Sequence, residues 1–222
     1  MSVGLVIEIT ADGSHTLFLP ELEEHYHSVN GAVQESKHVF IEAGLRQVKQ
    51  DVVHIFEVGF GTGLNAFLSL VESDAPREIH YTTIEAYPLP LSIIRQLNYA
   101  EKYSREQQEL FYKLHEAEWG TEQQITPYFY LTKIQADLNQ LDFSSLESAD
   151  IIYFDAFAPD KQAEMWSQHI FDHMYNISNE QGLLVTYCAK GVVRRMMQQS
   201  GYKTERLPGP PGKREMLRAT KL

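Results

Sequence analysis

The stretch Ile55-Phe-Glu-Val-Gly-Phe-Gly-Thr-Gly-Leu-Asn65 decides how the rest of the chain is read. It closes an apolar run, Val52–Val58, that reads as a buried strand. Gly59, Gly61 and Gly63 follow at alternate positions, and Leu64–Val71 then reads as a helix. Strand, glycine turn and helix together are how an open α/β sheet builds a ligand site. Glycines allow close approach to the backbone, and a helix start offers N–H groups beyond the strand's carboxyl end.

The spacing is E-x-G-x-G-x-G rather than the dinucleotide fingerprint G-x-G-x-x-G. It resembles motif I of class I S-adenosylmethionine (SAM) methyltransferases, where the loop holds the amino-acid part of SAM. That resemblance implies cofactor contacts from Glu57, Gly59, Gly61, Gly63 and Asn65. On spacing alone, a ligand-free glycine turn and a nicotinamide or flavin site stay open.

A chain of 222 residues, 43% hydrophobic and 22% charged, has the size and balance of one globular domain with a substantial core. No apolar run reaches the ~20 residues of a membrane span. The first residues lack the basic and apolar regions of a signal peptide. Cys188 is the single cysteine, which excludes an internal disulfide and a multi-cysteine metal site. A cytoplasmic location is the expectation. Net charge is −11, but from Cys188 onward nine Lys and Arg face only Glu205 and Glu215. Such asymmetry suggests an interaction surface, or simply a solvated basic face.

In chain order, Val3–Leu19 reads as a β-hairpin turning at Asp12-Gly13, an addition ahead of the core. The segment from Tyr26 to Phe40 is polar and aromatic, and the resemblance to methyltransferases, in which a segment ahead of the first core strand often folds over the cofactor, implies a lid. His25, His27 and His38 lack a compact ligand spacing, so no metal is expected. Glu78–Glu85 reads as the second core strand. Its terminal Glu85 is placed to accept ribose hydroxyls. Leu91–Asn98 and Arg105–Glu118 read as helical.

Tyr128–Asp137 reads as a strand ending in Asp137, followed by Leu138. Asp137 suits either a helix N-cap or, as in class I methyltransferases, an acceptor for the adenine amino group, with Leu138 against the adenine face. Ile151–Phe154 is a short apolar strand that delivers Asp155 to its carboxyl end, where open α/β sheets place their chemistry. Gly182–Tyr187 reads as a strand and Val192–Gln199 as a basic helix. Tyr202–Leu207 and Glu215–Thr220 read as closing strands around a proline-stiffened loop that ends in Lys213-Arg214.

Four stretches carry a closer resemblance: Glu57–Asn65, Asp155–Trp166, Thr186–Arg195 and Pro208–Leu217. Together they resemble the methyltransferase family that includes the methyltransferase half of the bifunctional tRNA-modifying protein MnmC and its stand-alone counterpart MnmD. The resemblance implies a Rossmann-like α/β fold with a mostly parallel seven-stranded sheet. It implies one domain over 1–222, with a hairpin and lid over 1–50 and a core over 51–222. The FAD-dependent oxidase half is expected to be absent.

The implied reaction is SAM-dependent N-methylation of the 5-aminomethyl group on the wobble 2-thiouridine of tRNA. Its product is 5-methylaminomethyl-2-thiouridine. Asp155 would orient the amine and accept a proton. Tyr26, Phe157, Pro159 or Trp166 would meet the base. Lys190, Arg194, Arg195, Lys213 and Arg214 would meet anticodon-loop phosphates. A separate oxidase or upstream wobble-modifying enzyme would prepare the same tRNA. A methyltransferase of a small amine or a protein is the alternative.

Overall fold

The computed structural model describes residues 4–72 and 77–222. Val3, the first residue of the expected hairpin, lies outside them. The rest of that hairpin forms β1 (Val6–Ile9) and β2 (His15–Leu19), and β3 (Glu24–His25) joins as a third antiparallel strand. The turn is held by Asp12, whose carboxylate accepts the Ser14 N–H at 2.9 Å. Its other oxygen accepts the Gln34 N–H at 2.9 Å. This fastens the hairpin to the helix α1 (Ala32–Ser36), which runs on into a π-helical turn, Lys37–Glu42.

The main sheet is built from β4 (Val52–Val58), β5 (Glu78–Glu85), β6 (Glu122–Thr126), β7 (Phe129–Gln135), β8 (Ala149–Phe154), β9 (Ser178–Thr186), β10 (Lys203–Pro208) and β11 (Glu215–Thr220). Their spatial order is β10-β11-β9-β8-β4-β5-β7-β6. The five central strands are parallel, whereas β6, β10 and β11 pair antiparallel. The sheet therefore has eight strands, one more than expected. The extra strand, β6, reads Glu-Gln-Gln-Ile-Thr and buries only Ile125. A polar edge strand of this kind carries no apolar run to announce it.

Side-chain alternation sorts the core. Val53 and Ile55 of β4, with Ile151 and Tyr153 of β8, face α2 (Leu64–Val71) and the N-terminal segment. Phe56 and Val58, with Ile152 and Phe154, face the opposite layer, where α5 (Gln168–Ile177) and α6 (Gly191–Ser200) pack. Period-2 alternation with both faces apolar is what a strand covered on both sides requires. Of the crossover, only α3 (Leu91–Ile94) and α4 (Arg105–Glu116) are helical. Ser104 and Gln107 form a reciprocal cap that sets the start of α4. From β4 the chain winds one way through β5, and from β8 the other way through β9. The carboxyl ends of β4 and β8 thus flank the topological switch point.

Candidate active site

At that switch point the Asp155 N–H donates to the Val58 carbonyl at 3.1 Å, so the loops after β8 and β4 leave the sheet side by side. Gly59 has φ +92°, and a Cβ there would stand 3.0 Å from the Asp155 carbonyl oxygen. A side chain at Gly59 would separate the two loops. The Gly59 and Phe60 N–H groups both donate to Ile84 O at the end of β5. Gly61 N–H donates to Glu85 Oε2 at 3.0 Å, and Tyr87 N–H to Oε1 at 2.8 Å. Two backbone donors therefore aim the Glu85 carboxylate and leave it lone pairs for a ligand's hydroxyls. Gly63 opens α2 and packs against the His115 ring.

These loops floor a cleft of about 1270 Å³. That exceeds the ~300–1,000 Å³ of a site for one drug-sized molecule, so two reactants fit. Gly59, Gly61, Asn65, Glu85, Asp137 and Leu138 line it, as do Asp155, Tyr26, Phe157 and Lys213. Asp137 Oδ1 also accepts the Asn139 N–H at 2.9 Å, so the capping role is realised at the cleft's edge. Tyr26 lies over Gly61 and meets Phe157 edge to face at 5.0 Å. Through Tyr26 the N-terminal segment reaches the glycine loop.

Other sequence-selected residues lie elsewhere. Glu57 is wholly buried beneath the loop. Trp166 is buried against Phe154 and Phe171, and its indole N–H donates to Phe157 O at 2.7 Å. It shapes the loop from below. Pro159 and Arg214 are off the cleft wall. Lys190 pairs with Asp160. Arg194 is half-buried on α6 and Arg195 exposed beside it. Within the basic tail, Arg206 and Arg218 pair with Glu215 and Glu205, and Lys221 is bound by the Tyr175 and Ser178 carbonyls. Much of that charge is already engaged.

Asp155 stands at the end of β8, on the cleft wall. Its carboxylate is enclosed at depth but half-exposed to the cleft, and accepts Asn65 Nδ2–H at 2.8 Å. Enclosure pushes its pKa up to about 7. The Asn65 hydrogen bond and the Lys213 charge oppose that rise, and the Glu35 charge adds to it. Lys213 pairs with the buried Glu35 and sits 3.8 Å above the Tyr187 ring, while Tyr187 O–H donates to Ala156 O at 2.9 Å. Sequence reasoning missed Glu35 and Tyr187. Tyr187 ends a readable strand, a signal that could have found it, whereas nothing local marks Glu35.

His25, His27 and His38 have separate partners: Glu8, Thr62 Oγ1 and the Pro208 carbonyl. No helix among the described residues is long and apolar enough to cross a membrane.

The cleft's donor set suits SAM. The Glu85 and Asp137 carboxylates, Leu138, the loop from Gly59 to Thr62 and Asp155 all open onto the cleft.

Comparison with known proteins points the same way. A protein from Methylobacillus flagellatus, tRNA 5-methylaminomethyl-2-thiouridine biosynthesis bifunctional protein MnmC, is 28% identical over 86% of this chain. The protein of the same name from Hydrogenovibrio crunogenus is 32% identical over 73% of it. The chain spans 32% and 25% of those relatives' lengths, respectively. The crystal structure of MNMC2 from Aquifex aeolicus shares the fold, with a TM-score of 0.79 at 24% identity over 98% of this chain and 70% of that one. A family model described as S-adenosyl-L-methionine-dependent methyltransferase matches residues 84–222, beginning beyond the glycine loop and taking in Glu85, Asp137 and Asp155. With that match over more than half of its length, the chain belongs to this family of S-adenosyl-L-methionine-dependent methyltransferases.

Proposed function

We propose that this chain N-methylates the 5-aminomethyl group of the wobble 2-thiouridine in the tRNA anticodon loop, giving 5-methylaminomethyl-2-thiouridine. The carrying observation is Asp155, held at the end of β8 by Asn65 within a cleft roomy enough for cofactor and base. The names of the aligned relatives support the substrate.

Bound SAM supplies an electrophilic methyl group. Glu85 and Asp137 would hold its adenosine, and the loop from Gly59 to Gly63 its amino-acid end. The protein's remaining task is to hold a neutral amine in line with the methyl group. Asp155 accepts an N–H of that amine and takes the proton released as the new bond forms. A bare carboxylate would favour the protonated, unreactive amine. Lys213, on the same wall, offsets this by opposing a second positive charge. Tyr26 and Phe157 form the aromatic edge against which an unstacked base can rest. The exposed Arg195 and Arg214 remain for phosphate contacts, which position without specifying. The reaction belongs in the cytoplasm, after a separate oxidase or upstream wobble-modifying enzyme has exposed the aminomethyl group.

The test is methyl transfer from labelled SAM to bulk tRNA from cells lacking the wobble methyl, followed by nucleoside analysis. Labelled 5-methylaminomethyl-2-thiouridine is expected. Unlabelled tRNA with intact SAM binding would overturn the substrate and direct attention to small amines and proteins.

A further inference from the structure

Thr62 sits between Gly61 and Gly63 in the glycine loop, and it is only 1% exposed. Its hydroxyl and its carbonyl end on two histidines from different elements. His27 Nε2 stands 2.7 Å from Thr62 Oγ1. His115 Nε2–H donates to Thr62 O at 3.1 Å. Neither histidine belongs to β4 or α2, the elements that the loop joins.

Both histidines are themselves held. Thr16 Oγ1 on β2 accepts the His27 N–H and donates to the His27 carbonyl, each at 3.0 Å. The His27 ring is buried and meets Tyr99 edge to face at 6.1 Å. His115, in the last turn of α4, packs its ring against Phe60 at 5.1 Å and Phe111 at 5.0 Å. Lys133 Nζ on β7 donates to the His115 carbonyl at 2.7 Å. The His115 ring also fills the space beside Gly63, where an added Cβ would meet Nε2 at 2.5 Å.

The loop needs such support. Gly59, Gly61 and Gly63 all take positive φ, and glycine loses more conformational freedom on ordering than any other residue. The first half of the loop is tied to β5 through Ile84 O and Glu85. The second half has one backbone bond of its own before α2, from Gly63 N–H to Phe60 O. A loop ordered before its ligand arrives spares the ligand that ordering cost. We infer that His27 and His115 are positioning residues for the cofactor: by gripping the hydroxyl and the carbonyl of Thr62 they hold the glycine loop in its binding shape. The segment that carries Tyr26 onto the cleft thus also sets the cofactor floor. The inference rests on the reading of this loop as the holder of SAM's amino-acid end.

The experiment measures SAM affinity by calorimetry, and amide hydrogen exchange without cofactor, in variants of the full chain. Thr62→Val keeps the shape of the side chain and removes its hydroxyl. Thr62→Val, His27→Leu and His115→Leu should each raise the SAM dissociation constant about three- to tenfold, the scale of one lost hydrogen bond. Thr62→Ser keeps the hydroxyl and His115→Gln keeps an N–H donor, so both should stay within about twofold of wild type. His27 also borders the cleft, so its coupling to Thr62 separates a hold on the loop from a direct contact. His27→Leu with Thr62→Val should lose no more affinity than the worse single variant. In cofactor-free Thr62→Val and His115→Leu, the Gly59–Gly63 amides should exchange at least about threefold faster, with β8 unchanged. Wild-type exchange in the loop, or losses that multiply in the double variant, would overturn the inference. Gly61→Val reports on the loop reading separately: should it keep SAM affinity, the cofactor lies elsewhere, while the exchange rates still decide whether the histidines hold the loop.

Discussion

Asn65 donates its side-chain amide to Asp155 across 2.8 Å, joining the first turn of the helix after the glycine loop to the end of β8. Asn65→Ala should therefore lower kcat by about 10- to 100-fold, the scale of a lost hydrogen bond to a charged group of about 1.5–3 kcal/mol. SAM affinity should change less than fivefold, as read by equilibrium binding. Equal losses in both would place Asn65 on the cofactor instead.

Asp155→Asn should keep SAM binding and lose most turnover. Because enclosure raises the Asp155 pKa to about 7, the wild-type rate should climb as pH rises through that value and the carboxylate forms. The residual rate of Asp155→Asn should lack that climb. Near-normal turnover in this variant would remove Asp155 from proton handling.

Gly61→Val tests the cofactor floor. Gly61 has φ +48°, and an added Cβ would meet Tyr26 Cδ1 at 3.2 Å. A β-branched residue there carries about 1–3 kcal/mol of backbone strain and crowds the cleft. SAM affinity should fall at least tenfold in calorimetry, with the far-ultraviolet dichroism unchanged. Unchanged affinity would move the cofactor off this loop.

Lys213→Met leaves the buried Glu35 with the Ser28 N–H but without its cationic partner, and removes the cation that opposes the rise in the Asp155 pKa. The acidic limb of the pH–rate profile should move to higher pH. Stability should drop by about 1–3 kcal/mol, the scale for a buried acceptor that loses one hydrogen-bond partner. Lys213→Met with Glu35→Gln should recover much of the stability but not the turnover. An unmoved acidic limb would separate Lys213 from the site's electrostatics.

His27, which is buried, and His115, which is half-buried, make the fold acid-sensitive. Burial lowers the pKa of His27 to about 4 and that of His115 to about 3, against 6.5 for the free side chain. The unfolded chain therefore binds more protons between these values. Both imidazoles are neutral in the fold above pH 6.5, and stability falls as pH drops from there toward 3. His115→Gln should flatten the fall in melting temperature over that window. An unaltered slope would assign acid sensitivity to other groups.

What could be read from the sequence follows from how local each signal is. The β4–loop–α2 unit and the Asp155 strand end announce themselves through apolar runs and glycines, and both were legible. Glu85, Asp137 and Leu138 were legible for the same reason, as strand ends on one edge of the sheet. β6 was not, because a polar edge strand has one face in solvent and carries no periodic core signal. The first part of β9, Ser178–Gln181, was missed for a similar reason: it is polar, and Gln181 takes a positive φ of 63°. Glu35 owes its role to Lys213, 178 residues away, and sequence reading cannot see such a pairing. The count of tail cations was visible, but their partners Glu205, Glu215 and Asp160 were not recognised as partners until the hairpin and loops were folded.

β11 is made after β10, yet it lies between β9 and β10 in the sheet. During translation, β10 therefore has no neighbour to pair with until β11 has left the ribosome. Lys213 reaches Glu35 only as that hairpin docks. A nascent chain paused before this point would already hold the glycine loop and Asp155, but with an open wall and an unpaired Glu35. The order of synthesis thus keeps the cleft unfinished until almost all of this sequence has been extruded.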